Sequence, residues 1–177
     1  MNAKTDDEQQ FTGLILLTGI DAPGIASALF STLEPFSIQI LDVEQLVIRS
    51  RLFLTVLIGL NPAHAQAIED DLNSLAINLN LDIAMSFGAE SRKSFEEKSG
   101  LMQITVSAEK LSPGMITDFT ARILGVEGNI ERIQRLSSTP KDSYEFQVSG
   151  TSRETLVDAL SSVSNTLVVG IKDRELR

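Results

Sequence analysis

The residues best suited to hold a small ligand lie in one short stretch, Thr18-Gly19-Ile20-Asp21-Ala22-Pro23-Gly24, between an apolar run and a helical pattern that opens at Ile25. Glycine lets backbone approach a ligand closely. A helix start carries N–H groups without internal partners, and the positive end of the helix dipole attracts a carboxylate. Asp21 beside those donors is an acceptor for an ammonium group. Gly19, Asp21, Pro23, Gly24 and Ile25 therefore form a candidate receptor for an amino-acid zwitterion. The same residues also describe an ordinary helix start, with Asp21 as cap and Pro23 at the first helical position. The pattern alone leaves both readings open.

Other acidic groups are weaker candidates. Asp42 and Glu44 stand at i, i+2 in a β-branched run, hence on one face of a strand. They are a weak cation or ammonium site, or simply a solvated sheet edge. Glu69-Asp70-Asp71 is the densest acid cluster, but three consecutive helical positions point to different sides and cannot converge on one metal. His64, the only histidine, has no cysteine partner and is expected at the surface. With no cysteine in the chain, a thiol nucleophile, a disulfide and a Cys-based zinc site are excluded. No Gly-x-Ser-x-Gly, P-loop, Gly-x-Gly-x-x-Gly or Asp-x-Asp-x-Thr/Ser motif occurs. No catalytic residue, metal or cofactor is expected.

The elements that position these residues occur twice. With a shift of 90 residues, Pro23-Gly24 falls on Pro113-Gly114, Leu33 on Ile123, Ile40 on Ile130, Leu46 on Leu136, and Val56 and Ile58 on Phe146 and Val148. Self-similarity at fixed spacing marks a tandem duplication. In each copy, short apolar or β-branched runs alternate with helical stripes in the order strand, helix, strand, strand, helix, strand. In the first copy Ile25, Leu29 and Leu33 make one helix face, and Ile68, Leu72 and Leu75 the other. Arg49-Ser50-Arg51 reads as a hairpin turn, and Asn61-Pro62 caps the second helix. The second copy reads as Leu101–Ser107, Pro113–Val126, Gly128–Ser138, Ser143–Ser149, Thr151–Val163 and Thr166–Lys172.

A βαββαβ order predicts an α+β fold: two ferredoxin-like domains, each a four-stranded antiparallel sheet with two helices on one face. The expected boundaries are a flexible N-terminus at 1–11, domain 1 at 12–88, a charged linker at 89–100 and domain 2 at 101–174. Met102, Ile104 and Val106 alternate with Gln103, Thr105 and Ser107, the pattern of one buried and one wet face. Leu14–Leu17 and Leu52–Leu60 are apolar on both faces, so the first sheet is expected to be covered on its second face or to meet another subunit.

The 177 residues carry a net charge of −9, all of it within residues 1–90, which hold three basic and twelve acidic side chains. So acidic a surface repels phosphate backbones and anionic membranes, so neither nucleic acid nor membrane is an expected partner. Met1–Gln10 is polar and acidic, unlike a secretory signal, and no apolar run reaches membrane-span length. The reading is a soluble, cytoplasmic protein.

TGIDAPGIASALFSTL followed by IQILDVEQLVIRSRLFLTVLIGL resembles the first ACT domain of bacterial phosphoserine phosphatases of the actinobacterial type. LSPGMITDFTARILGVEGNIERIQRLS resembles their second ACT domain, and KDRELR the lead-in to their catalytic domain. The resemblance covers about Leu14 to Asp173. It implies tandem ACT domains, a homodimer or higher oligomer built through ACT contacts, and a small amino-acid effector, L-serine. It places the family's ligand-loop Asp on Asp21 and its Gly on Gly24, with the second-copy Gly at Gly114; Ser112 beside it joins the candidate ligand residues, as does Asp42. The second loop departs from the pattern, with Leu111 where Asp21 stands in the first. The implied Mg2+ belongs to a phosphatase domain whose motifs this chain lacks. The chain also resembles, in length, free-standing tandem ACT regulators akin to the glycine-cleavage repressor, which act through a protein partner.

Overall fold

The computed structural model describes residues 9–91, 100–161 and 168–173. The expectations for residues 1–8, for most of the linker, for Val163 and the onset of the last strand, and for the final four residues lie outside the described residues. The chain divides into two compact units, Met1–Glu96 and Glu97–Arg177.

In the first unit the order is β1 (Gln9–Ile20), α1 (Ile25–Leu33), β2 (Gln39–Ile48), β3 (Arg51–Gly59), α2 (Ala65–Leu79) and β4 (Asp82–Ser91). The sheet runs β2-β3-β1-β4, with every pair antiparallel. Ile15 and Leu17 of β1 and Leu52, Leu54, Val56 and Ile58 of β3 are buried with Ile25, Leu29 and Leu33 of α1 and Ile68 and Leu72 of α2. Both helices therefore cover one face, as the stripe spacing requires. On α2 the third fully buried position is Ala76, one turn past Leu72, and Leu75 is only partly buried at its flank. Asn61 accepts the Ala63 N–H at 3.0 Å and starts a single 3-10 turn, Pro62–His64, that leads into α2. Pairing of β1 with β4 continues from Thr18–Asp82 to Gln9–Ser91, so both strands run past the boundaries read from the sequence. Backbone pairing needs no particular side chains, and the polar residues at these ends gave no sign of it.

The second unit repeats the plan with β5 (Met102–Ala108), α3 (Pro113–Gly125), β6 (Asn129–Ser137), β7 (Asp142–Ser149), α4 (Arg153–Ser161) and β8 (Val168–Asp173), in sheet order β6-β7-β5-β8. Its core sets Met102, Ile104 and Val106 against Phe119, Ile123, Phe146, Val148, Leu156 and Leu160. The rings of Phe119 and Phe146 meet at 4.8 Å with a 52° tilt.

The registers refine the repeat. Ile15 lies opposite Val56, and Ile104 lies opposite Phe146. Val56 and Phe146 correspond at the 90-residue shift, so β5 corresponds to β1 at a shift of 89. The connection into the first helix is therefore one residue longer in the second unit. Among the described residues no helix is long and apolar enough to cross a membrane.

Candidate functional site: the loop after β1

The chain leaves β1 at Ile20, and the Asp21 N–H donates to the Ser50 carbonyl at 2.9 Å. Ser50 belongs to the β2–β3 turn, where Arg49 and Ser50 both take positive φ, 47° and 66°. That is the backbone of a tight hairpin turn, built here without glycine. The turn thus pins the start of the loop.

The loop enters α1 through Gly24, which holds φ 92° and caps the helix with no side-chain hydrogen bond. A Cβ at Gly24 would meet nothing within 4 Å, so backbone conformation rather than space calls for glycine there. The first intrahelical bond runs from the Ala28 N–H to the Gly24 carbonyl at 2.9 Å. The N–H groups of Ile25, Ala26 and Ser27 precede it and have no intrahelical acceptor. Asp21, Ala22, Pro23 and Gly24 are exposed, and Ile25 is buried. Asp21 is therefore not the helix cap, and Pro23 lies outside the helix. The ordinary helix start does not describe this loop, because the turn into α1 is made at Gly24. Gly19 has a packing reason: a Cβ there would stand 2.4 Å from Leu81 Cδ2.

The second loop does follow the ordinary pattern. The Ser112 hydroxyl accepts the Met115 N–H at 3.3 Å, Pro113 opens α3, and Gly114 lies in its first turn without a positive φ. Here the Leu111 N–H donates to Asp142 Oδ2 at 3.0 Å, and Arg135 holds Asp142 Oδ1 at 2.6 Å. The Leu111 N–H, and then the Arg135 guanidinium, keep the Asp142 carboxyl below the usual carboxylate range. Leu111 packs on the core with Ile116 and Tyr144. Both loops are thus pinned by the following hairpin, one through a backbone carbonyl and the other through a carboxylate.

The remaining candidates separate. A bulge at Leu41 turns Asp42 and Glu44 to the face away from the helices, opposite Leu57 and Thr55. Asp42 Oδ1 accepts the Val43 N–H at 2.8 Å. Asp42 lies six residues along β2 from Ile48, roughly 20 Å from the hairpin at 3.3 Å per residue. The structure thus groups Gly19, Asp21, Pro23, Gly24 and Ile25 and leaves Asp42 apart. His64 is half-buried rather than on the surface, its ring 6.0 Å from that of Phe36. The 3-10 turn ahead of α2 directs it inward. Asp70 of the acid cluster accepts a hydrogen bond from Gln66 at 3.0 Å, and Asp70 and Asp71 are exposed. Among the described residues no three His, Cys, Asp or Glu gather as metal ligands. Sequence reasoning missed Ser50, which holds the first loop, and Asp142, which holds the second. Neither is near its loop in the chain, and no motif announces them.

The profile of the ACT domain matches residues 12–86, which is nearly the whole first unit. A phosphoserine phosphatase of Streptomyces coelicolor is 32% identical over 166 residues, covering 90% of this chain and 39% of that protein. The Mycobacterium tuberculosis phosphoserine phosphatase is 31% identical over 138 residues, covering 77% of this chain and 33% of the relative. The chain thus spans less than two-fifths of the length of these relatives. Two solved structures share its fold over 95% of its length. One, assigned as a glycine cleavage system transcriptional repressor, has a TM-score of 0.75 at 14% identity and covers 95% of this chain and 99% of its own. The other, a Galdieria sulphuraria protein, has a TM-score of 0.74 at 17% identity, with 95% and 100% covered. The first unit is an ACT domain, the chain as a whole has a tandem ferredoxin-like fold, and its sequence is similar to the phosphoserine phosphatases.

Proposed function

We propose that this chain is the amino-acid-binding regulatory and dimerisation module of a cytoplasmic phosphoserine phosphatase in L-serine biosynthesis, with L-serine as its effector. One observation carries the reading: exposed Asp21 stands beside a helix start whose first three N–H groups have neither an intrahelical acceptor nor a capping side chain. The effector carboxylate takes those donors, and its ammonium takes Asp21. The kinship with phosphoserine phosphatases supports serine, because removing phosphate from phosphoserine leaves serine. A product sensed at a separate module is a feedback signal, provided it binds one arrangement of the subunits better than another.

Dimerisation is supported by the open face of the first sheet. Leu14 and Leu16 are 45% and 38% exposed, Leu46 is 41% exposed, and half-buried Phe53 and Leu57 lie among them. Such a contiguous apolar patch fits an interface. In a dimer the second copy brings Asp42, on that same face, toward the ligand that a single protomer holds only through its loop.

Calorimetric titration of the chain with L-serine tests the binding. Asp21→Ala weakens it by roughly tenfold or more, the usual range for a hydrogen bond to a charged group, and leaves the circular dichroism spectrum unchanged. No heat of binding at millimolar serine overturns the reading. The chain by itself releases no phosphate from phosphoserine. Leu16→Glu shifts sedimentation from dimer to monomer; a wild-type chain that sediments as a monomer removes the dimer from the proposal. A second reading, a free-standing regulator that acts through a protein partner, draws support from a fold spanning 99% of one tandem neighbour. A transcription factor captured specifically by this chain favours that reading.

A further inference from the structure

We infer that the groove at the second unit's loop is an anion site that takes a phosphate monoester or free phosphate, not a second copy of the zwitterion site. The inference rests on the proposed function only in treating the two loops as counterparts. The groove has a volume of about 600 Å³, in scale with a small metabolite, and is lined by Ser107, Glu109, Lys110, Met115, Lys141 and Val168 among others. Lys110 comes from the β5–α3 loop, and Lys141 from the β6–β7 hairpin. Among the described residues neither lysine has a carboxylate within 4.0 Å, and Lys110 interacts with Asp142 only at longer range.

The repeat makes the inversion of charge explicit. Counted from the strand, where the shift is 89, Lys110 occupies the place of Asp21. A cation replaces the carboxylate that would hold an ammonium group. Glu109 is the acid within the lining; Asp142, whose carboxyl Lys110 also helps to lower, is held by the Arg135 guanidinium and the Leu111 N–H. Met115 brings the first turn of the 13-residue α3 to the same groove, which adds the positive end of a helix dipole. Lysine binds phosphate as a mobile point charge, and a phosphate monoester carries about −1.5 to −2 at neutral pH. Glu109 in the same lining matches an ammonium group, so a phosphorylated amino acid fits better than bare phosphate.

Titration calorimetry on the full chain tests this with three probes: inorganic phosphate, O-phospho-L-serine and L-serine. Both phosphate probes bind, and Lys110→Gln and Lys141→Gln each weaken that binding roughly tenfold. Raising the ionic strength also weakens it. Lys110→Arg keeps most of the affinity, since the charge is retained. Glu109→Gln narrows the advantage of O-phospho-L-serine over phosphate. Asp21→Ala leaves phosphate binding unchanged while it weakens serine binding, so failure of one site is not mistaken for failure of the other. The inference falls if neither phosphate probe binds at millimolar concentration, or if the two lysine substitutions leave binding unaltered. It falls equally if serine binding, rather than phosphate binding, depends on Lys110.

Discussion

The two units share one topology and differ on the surfaces that topology leaves free. On the face away from the helices, the first sheet presents Leu14, Leu16, Phe53 and Leu57. The equivalent face of the second presents Gln103, Thr105 and Ser107 against Gln147, Glu145 and Ser143. There Gln103 bonds to Glu145, and the Ser107 and Ser143 hydroxyls meet at 2.9 Å. One outer face satisfies its polar groups internally, and the other leaves apolar surface unspent. The loops differ likewise: a bare helix start beside a carboxylate in one, a capped helix start beside two lysines in the other. The inward-facing positions stay apolar in both units while the outward-facing ones differ in character, because only the inward set is needed to hold the fold.

The sharpest contrast between the cores is at one pair of corresponding positions, Phe146 and Val56, both buried. Phe146→Ala removes an aromatic ring that packs on Phe119 and costs the second unit about 3–5 kcal/mol. Val56→Ala removes two methyl groups and costs the first unit about 2 kcal/mol. Urea unfolding followed by amide exchange in each unit separates the two effects. Equal losses would show that the Phe146 ring contributes less than its buried volume implies.

The helix starts give the next largest difference, and one of opposite sign. Gly24→Ala forces a Cβ into the left-handed region and destabilises the first unit by about 1–2 kcal/mol. Gly114→Ala sits in ordinary helical backbone with open space around it and stabilises the second unit by about 0.5–1 kcal/mol. Thermal unfolding of the two variants is the measurement. A loss at both positions would mean that the first turns of α1 and α3 are more alike than their caps indicate.

What the sequence disclosed about these features follows the range of the interactions. The stripe Ile25, Leu29, Leu33 and the alternation Met102, Ile104, Val106 are local patterns imposed by helix and strand periodicity, and both were readable without coordinates. The duplication was readable from Pro23-Gly24 and Pro113-Gly114 for the same reason. The position of the first loop was legible, but its conformation was not. Asp-x-Pro-Gly suits a side-chain cap and a proline-led helix, and only the φ of Gly24 shows that the chain adopts neither. The turn at Arg49 and Ser50 lacks the glycine that normally signals positive φ. The extra residue in the second loop was hidden because a match counted from the helix places Leu111 opposite Asp21, while the strand register places Lys110 there. Lys141, 31 residues from Lys110, joins it only because the β6–β7 hairpin returns to the loop.

The smallest expected effect concerns the two loop tethers, which share a purpose and differ in chemistry. The Ser50 carbonyl that accepts the Asp21 N–H has no proton to gain in the accessible range. The Asp142 carboxylate that accepts the Leu111 N–H does. Its folded-state pKa lies below the ordinary value because the Leu111 N–H, and secondarily Arg135, favour the charged form. A carboxyl depressed in this way contributes stability that is present above its unfolded value, about 3.9, and is lost as pH falls through the folded one. Acidification therefore loosens the second loop through Asp142 and leaves the first tether intact. Asp142→Asn keeps an acceptor but gives up the charge, so it forfeits the Arg135 pair at neutral pH and no longer responds to acid at this position. The check is the difference in melting temperature between wild type and variant as pH is lowered: a gap at neutral pH that closes in acid, accompanied by faster amide exchange at Leu111 than at Asp21. A gap that stays constant down to low pH would mean that the carboxylate charge plays no part in holding the loop, and that the two tethers differ in atoms but not in behaviour.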